Sequence, residues 1–269
     1  MVDTQAAVLD EPAERLEPAV GVVKAVFGSV VTLIALVVLW EVLVRHYNVP
    51  GWLLPAPSAI AQAMVEWRAD LVVHTGVTLY ETLVGFALSI AVSVPLAVLI
   101  VYSPLLQNTI YPILLAMQST PKVAIAPLLA LWIGFGAAPK IIVVFLVCFF
   151  PIVVSTASGL TAVPPALIDL IRSLSASPMQ TFLKIRFPTA MPHIFVGLKI
   201  AITFAVVGAV IGEFVGSENG LGYLILVSTS QSRTPLAFGA LVLLTVMSIV
   251  LYYGVALVER VVVPWAPRN

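Results

Sequence analysis

Six long apolar runs divide this chain, and most of its charged residues lie between them. The runs extend over about Val26–Leu43, Leu83–Tyr102, Ile110–Ile133, Ile141–Leu160, Ile194–Val215 and Leu236–Leu257. Most reach the roughly 20 residues that a helix rising about 1.5 Å per residue needs to cross about 30 Å of hydrocarbon. Each is therefore read as a transmembrane helix, with prolines 112, 121 and 127 inside the third. Strands of a membrane barrel would alternate apolar and polar positions over about ten residues, and these runs do not. The expected fold is all-α, a polytopic bundle of six transmembrane helices with both chain ends on one side.

Composition agrees: 61% of residues are hydrophobic, 10% are charged and the mean hydropathy is +1.10. That leaves too little polar surface to coat a water-soluble globule, so the bilayer is the expected solvent. With 13 basic and 13 acidic residues in balance, no nucleic-acid partner is expected. Lys and Arg collect on the cytoplasmic side of membrane proteins. With the termini inside, Arg15, Lys24, Arg172, Lys184, Arg186, Arg260 and Arg268 are cytoplasmic, against Arg45, Arg68, Lys140 and Arg233 outside. Trp52, Trp67 and Trp132 then fall near the outer interface and Trp265 near the inner one.

Residues 1–20 carry Asp3, Asp10, Glu11, Glu14 and Glu17 and no apolar core of a secretory signal, so they read as a cytoplasmic polar tail before a single membrane domain over 21–269. Between the first two spans an amphipathic stretch from Ser58 to Trp67 predicts a helix lying at the outer interface with Ser58 as its N-cap. Cys148 is the one cysteine, so no intramolecular disulfide can form.

The segment from 163 to 192 is polar where its neighbours are not. Pro164 and Pro165 stop the fourth span, and a short helix over about Ala166–Leu174 can follow with Pro165 in its first turn. Ser177, Pro178 and Gln180 have the spacing of a capping box that opens a second short helix, which Pro188 and Pro192 would close. Leu167, Ile168, Leu170, Ile171 and Leu174 make the first helix apolar on almost every side, which marks a docking surface. Asp169, Arg172, Lys184 and Arg186 would rim it.

This segment resembles the "EAA" loop of the permease subunits of bacterial binding-protein-dependent ABC importers: E-A-A, three residues, G, nine residues, I-x-L-P. Asp169 stands at the acidic position, Leu170 and Ile171 at the alanines, Ser175 at the glycine, and Ile185, Phe187 and Pro188 at I-x-L-P. Further stretches, "LLPAPSAIAQAM", "STPKVAIAPLLALWIGFG", "FFPIVVSTASGL", "GAVIGEFVGSENGLGYLI" and "ERVVVPW", resemble the nitrate, sulfonate and taurine branch. The resemblance implies a type I importer permease in the bacterial inner membrane. It also implies a dimer of permeases, expected here to be two copies of this chain although a heterodimer stays open, with two cytoplasmic ATPase subunits that hold ATP and Mg, and an extracytoplasmic substrate-binding protein. It further implies that Asp169, Leu170, Ile171, Arg172, Leu174, Ser175, Ala176 and Ser177 form a coupling helix gripped by the ATPase. Within the branch, "TPKVAIAPLL", "VCFFPIVV" and "GLGYLI" look closer to permeases for thiamine pyrimidine precursors and riboflavin. Sulfonates, taurine, nitrate and aromatic carboxylates remain open as cargo.

Catalytic chemistry is not expected. The chain has no G-x-x-x-x-G-K-[ST] phosphate cradle, and Gly134-Phe135-Gly136 reads as a turn. His46, His74 and His193 are isolated from one another and from other ligand types, so no metal site and no cofactor is expected. Polar groups inside the spans take a functional reading, because a charge at the bilayer centre costs at least about 2.5 kcal/mol. Gln118, Ser119, Thr120 and Lys122, beside Pro121, are candidates for the translocation path, with Glu213. Gly216, Gly220, Leu221 and Tyr223 are candidates for an outer gate, and Thr78 and Glu81 are weaker ones. Lys199 is read as structural, snorkelling to the cytoplasm. A secondary transporter would show half-length repeats and midplane carboxylates, and a membrane scaffold or channel would have no need for the 163–192 segment.

Overall fold

The structure, a computed structural model, describes residues 17–265. The side chains of residues 17–27 and of Arg172 lie outside that description, as do Arg15, Arg268 and the acidic residues Asp3 to Glu14 of the predicted tail. In chain order the helices are α1 (Glu17–His46), α2 (Pro57–Glu66), α3 (Arg68–Tyr102), α4 (Pro104–Gln118), α5 (Ala126–Ile133), α6 (Ala137–Thr161), α7 (Pro165–Ser173), α8 (Pro178–Thr181), α9 (Phe187–Glu213), α10 (Leu221–Ser230) and α11 (Thr234–Val262). A 3₁₀ turn over Lys122–Ile125 precedes α5, and a π turn over Phe182–Arg186 joins α8 to α9. Five helical stretches are long and apolar enough to cross a membrane, and α4 with the Lys122–Ile133 segment makes a sixth.

That sixth span is not a single rod. It bends by 88° between Gln118 and Lys122. Pro121 has no N–H to give to the turn before it and its ring collides with that turn, so the helix stops and restarts.

At the centre lie α6, α9 and α3, whose mutual packing is the most extensive in the bundle. Val144, Cys148, Ile152 and Leu160 of α6 meet Ala201, Ile202, Ala205 and Ala209 of α9 in one buried cluster. Small residues bring these backbones together: a Cβ at Gly208 would stand 3.1 Å from the Val144 Cα, and one at Gly212 would stand 3.0 Å from that of Lys140. In lipid, where burying apolar groups gains nothing over the acyl chains, such close approach is the main source of helix attraction. By contrast α1 is only 6% buried across its apolar window and faces outward.

Two predicted local features fall differently. Ser58 is not the N-cap of α2; Ala56 is, with no side-chain cap. The capping role passes to Glu41 of α1, whose carboxylate accepts from the Ser58 amide at 3.0 Å and hydroxyl at 2.8 Å while Arg45 donates to it at 2.6 Å. A carboxylate at a helix N-terminus is favoured by the orphan amides and the helix dipole. Lys199 does not snorkel free: its ammonium pairs with Glu259 of α11 at 2.8 Å.

Candidate functional site

Beyond the end of α6 the chain turns through Pro164 into α7, as the prolines predict. Ile168 is buried against the bundle and Ile171 half-buried. Leu167, Leu170 and Leu174 are 37%, 57% and 73% exposed. Spaced by three and four residues, they form one unpartnered apolar edge. Asp169, on the same helix, has partners of its own. The turn that ends α7 puts Ser175 at φ 57, the left-handed region where glycine is the usual residue. Ser175 therefore performs the sharp turn that the glycine of the EAA pattern performs, at some conformational cost. Ala176 donates back to the Ile171 carbonyl at 3.3 Å and closes the turn.

Ser177 then caps α8 in a complete capping box: its hydroxyl accepts from the Gln180 amide at 3.2 Å, and its own amide donates to the Gln180 side chain at 2.9 Å. The second short helix does not end at Pro188 and Pro192. Pro178 to Glu213 is one continuous 36-residue helix. The Phe187 amide donates to the Phe182 carbonyl in a widened π turn, so the proline ring that follows finds room where a regular α turn would clash.

At the opposite end of the bundle α3, α6, α9 and α10 enclose a buried polar network. Residues 74, 78 and 81 are on one face of α3 by their spacing of four and three. Thr78 donates its hydroxyl to Glu213 at 2.6 Å, and Glu81 is ion-paired with Lys140 of α6. Glu81 and Glu213 are each 1% exposed. Three successive amides at the start of α10 point into the network: Gly220 donates to His74 Nδ1 at 3.0 Å, Leu221 to the Thr78 hydroxyl at 2.9 Å, and Gly222 to Glu213 at 2.6 Å. The orphan amides of this helix are thus satisfied by side chains from two other helices. Lys140 also donates to Ser217 at 3.1 Å, and Ser217 to the Asn219 carbonyl at 2.5 Å, which fastens the 214–220 connection.

Near the bend between α4 and α5 Gln118, Ser119 and Thr120 are exposed. Lys122 is half-buried, with its ammonium 4.9 Å over the Phe150 ring and donating to the Gln118 carbonyl at 3.4 Å. Among the described residues no group of three or more His, Cys, Asp or Glu side chains has the arrangement of a metal site.

Residues 85–266 match the family described as the binding-protein-dependent transport system inner membrane component. The chain belongs to that family. It is 36% identical to an ABC transporter permease protein of Haemophilus influenzae over 82% of this chain and 90% of that one. It is 34% identical to the riboflavin transport system permease protein RibX of Chloroflexus aurantiacus over 88% and 90%. To the formylaminopyrimidine transport permease protein ThiX of Halalkalibacterium halodurans it is 32% identical over 87% and 94%. Its fold is similar to a chain of the MetNI methionine ABC transporter, with a TM-score of 0.62 at 23% identity over 76% of this chain and 99% of that one.

This multi-pass permease places its sequence-predicted residues in three separate regions. Asp169 to Ser177 lie together in the α7 turn, although the Arg172 side chain is outside the described residues. Glu213 is apart from Gln118, Thr120 and Lys122: it sits beside Lys140, whereas Lys122 sits on Phe150. Those two α6 positions are separated by about 15 Å along the helix axis. Glu213 instead joins Gly220 and Leu221, while Tyr223 packs on the His74 ring with centroids 5.9 Å apart. Gly216, at φ 70, lies against the Phe135 ring. His74 and Lys140 were not singled out by the sequence. The His74, Thr78, Glu81 spacing on one helical face was the available signal, but it lay outside the apolar run assigned to that span.

Proposed function

We propose that this permease is the membrane-spanning subunit of an ATP-driven importer, in which two copies form the path for a small organic solute delivered by an extracytoplasmic binding protein. Two ATPase subunits, holding ATP and Mg, grip α7 from the cytoplasm, where the chain termini also lie. The observation that carries this reading is the unpartnered apolar edge of Leu167, Leu170 and Leu174 on a helix fixed by a left-handed turn and a capping box. Exposed apolar surface on a rigid helix outside the bilayer is what a tight-fitting partner cleft requires.

Gln118, Thr120 and Lys122 line the path, since polar groups exposed at a helix break inside the membrane need a water-lined or protein-lined surface. The cargo is a heterocycle of the pyrimidine or riboflavin kind, in keeping with the relatives named for such solutes. Lys122 keeps an anionic cargo, a sulfonate or carboxylate, as the second reading. Leu170→Asp and Leu174→Asp should leave the bundle folded and abolish substrate-stimulated ATPase activity of the reconstituted complex. Unchanged stimulation would remove the coupling role of α7.

A further inference from the structure

The buried network at the end remote from α7 holds two carboxylates and one lysine. Glu213 uses both of its oxygens, one on the Thr78 hydroxyl and one on the Gly222 amide. Glu81 uses one oxygen on Lys140, and its Oε2 has no hydrogen-bond partner. Gly212 packs directly on the Lys140 backbone and side chain, so the lysine stem runs beside the turn that carries Glu213. Lys140 is thus paired with one carboxylate and packed against the turn that carries the other. Its other polar contact, Ser217, belongs to the 214–220 connection itself.

Lifting that connection together with the first turn of α10 would take the Gly222 amide from Glu213 and Ser217 from Lys140 in the same movement. Thr78 of α3 would stay on one Glu213 oxygen, and the other, stripped of its donor in a buried site, is disfavoured unless a new donor or a cation takes its place. Lys140 is the group that can do so, at the moment its bond to Ser217 breaks. We propose that Lys140 is a positioning residue of the outer gate, which exchanges between Glu81 in the closed state and Glu213 in the open one. This rests on the reading that the α9–α10 connection is the gate. The other titratable groups facing the network are His74 and Tyr223, and His74 is committed as an acceptor through Nδ1 to the Gly220 amide.

Glu81→Gln removes the competing charge and leaves Lys140 to Glu213, so it should bias the gate open. The pair Glu81→Gln with Lys140→Met removes both charges, keeps the closed contacts of Glu213, and deprives the open state of its cation. The test uses the reconstituted complex with Cys148→Ala and a single reporter, Leu224→Cys, which is buried in the first turn of α10 in the closed state. The readout is labelling by a membrane-impermeant maleimide, at rest and with ATP trapped by vanadate. Glu81→Gln should raise resting labelling about tenfold, and the double variant should lower ATP-dependent labelling by about the same factor, as a shift in a two-state equilibrium requires. Glu81→Gln with Lys140→Arg, which keeps the cation, should label like Glu81→Gln alone and not like the pair with Lys140→Met. Variants that label like the unaltered protein would overturn the exchange while leaving the gate. If the unaltered protein shows no ATP-dependent labelling at all, the gate reading fails and the exchange with it.

Discussion

Gly220→Ala offers a sharp test of how the α10 terminus is held, because the structure supplies its own control. Gly220 has φ 116 and ψ 162, and Gly134 has φ 93 and ψ 177. Both lie in the region open essentially to glycine alone, where another residue costs about 1–3 kcal/mol. The surroundings differ. A Cβ at Gly134 meets nothing within 4 Å, whereas one at Gly220 would overlap the Glu213 carboxyl group. The carboxylate must then leave its place, with loss of hydrogen bonds to a charged group worth about 1.5–3 kcal/mol. Gly134→Ala should therefore cost about 2 kcal/mol and Gly220→Ala about 4–5 kcal/mol. At about 2–4 °C per kcal/mol, the scale for folded domains of similar length, the melting temperatures should fall by about 6 °C and about 14 °C. Cys148, the one cysteine and fully buried, provides the assay: a thiol-reactive fluorophore reports its exposure on heating in detergent. Glu213→Ala combined with Gly220→Ala should be less costly than the sum of the two singles, because the overlap is removed. Equal shifts for Gly134→Ala and Gly220→Ala would refute the reasoning.

Ser175→Gly should stabilise the permease by about 1 kcal/mol, because glycine adopts the left-handed conformation without the Cβ penalty. The same thermal assay would register it as a rise, and a fall would show that the Ser175 side chain holds the turn. Lys122→Ala should impair uptake in reconstituted vesicles more than it impairs assembly with the partner subunits. Normal transport kinetics in that variant would return Lys122 to a structural role on Phe150.

The six spans were legible because lipid leaves little choice: a run of apolar residues of sufficient length has no other stable state than a helix. What the pattern could not show were the places where polar residues belong to the buried interior. The second apolar run begins at Leu83, yet α3 is helical from Arg68. His74, Thr78 and Glu81 lower the local hydropathy while facing Glu213, Gly220 and Leu221 rather than water. Lys140, one residue before the fourth apolar run, reads as part of an outer connection for the same reason, and lies buried in α6. Helix α10 is too short to register as a span, and its glycine-rich start is all that the sequence pattern marks. Prolines were ambiguous in both directions. Pro121 breaks its span, while Pro188 and Pro192 lie within a continuous helix, and only the turn geometry around each decides which occurs. The capping box at Ser177 was fully legible, since its contacts span three residues and need no tertiary context.

The continuity of the helix from Pro178 to Glu213 bears on how a force applied at α7 would travel. Thirty-six residues at about 1.5 Å each span about 54 Å, so one rod joins the capping box at one end of the bundle to the Glu213 network at the other. Two short helices hinged at Pro188 would have absorbed a displacement of α7 in the hinge. The π turn over Phe182–Arg186 instead accommodates the proline while keeping backbone hydrogen bonds through the junction. Gly197, Gly208 and Gly212 hold the rod against α6 closely enough that the two helices cannot slide without moving side chains at each contact. A tilt of α6 and α9 together therefore reaches Lys140 and Glu213 as a unit. The parts that can yield are at the far end of that unit: the 214–220 connection and the first turn of α10, which His74 and Thr78 of α3 hold by hydrogen bonds to their amides. If α7 is gripped as proposed, the geometry concentrates the resulting strain on the bonds that fasten the 214–220 connection.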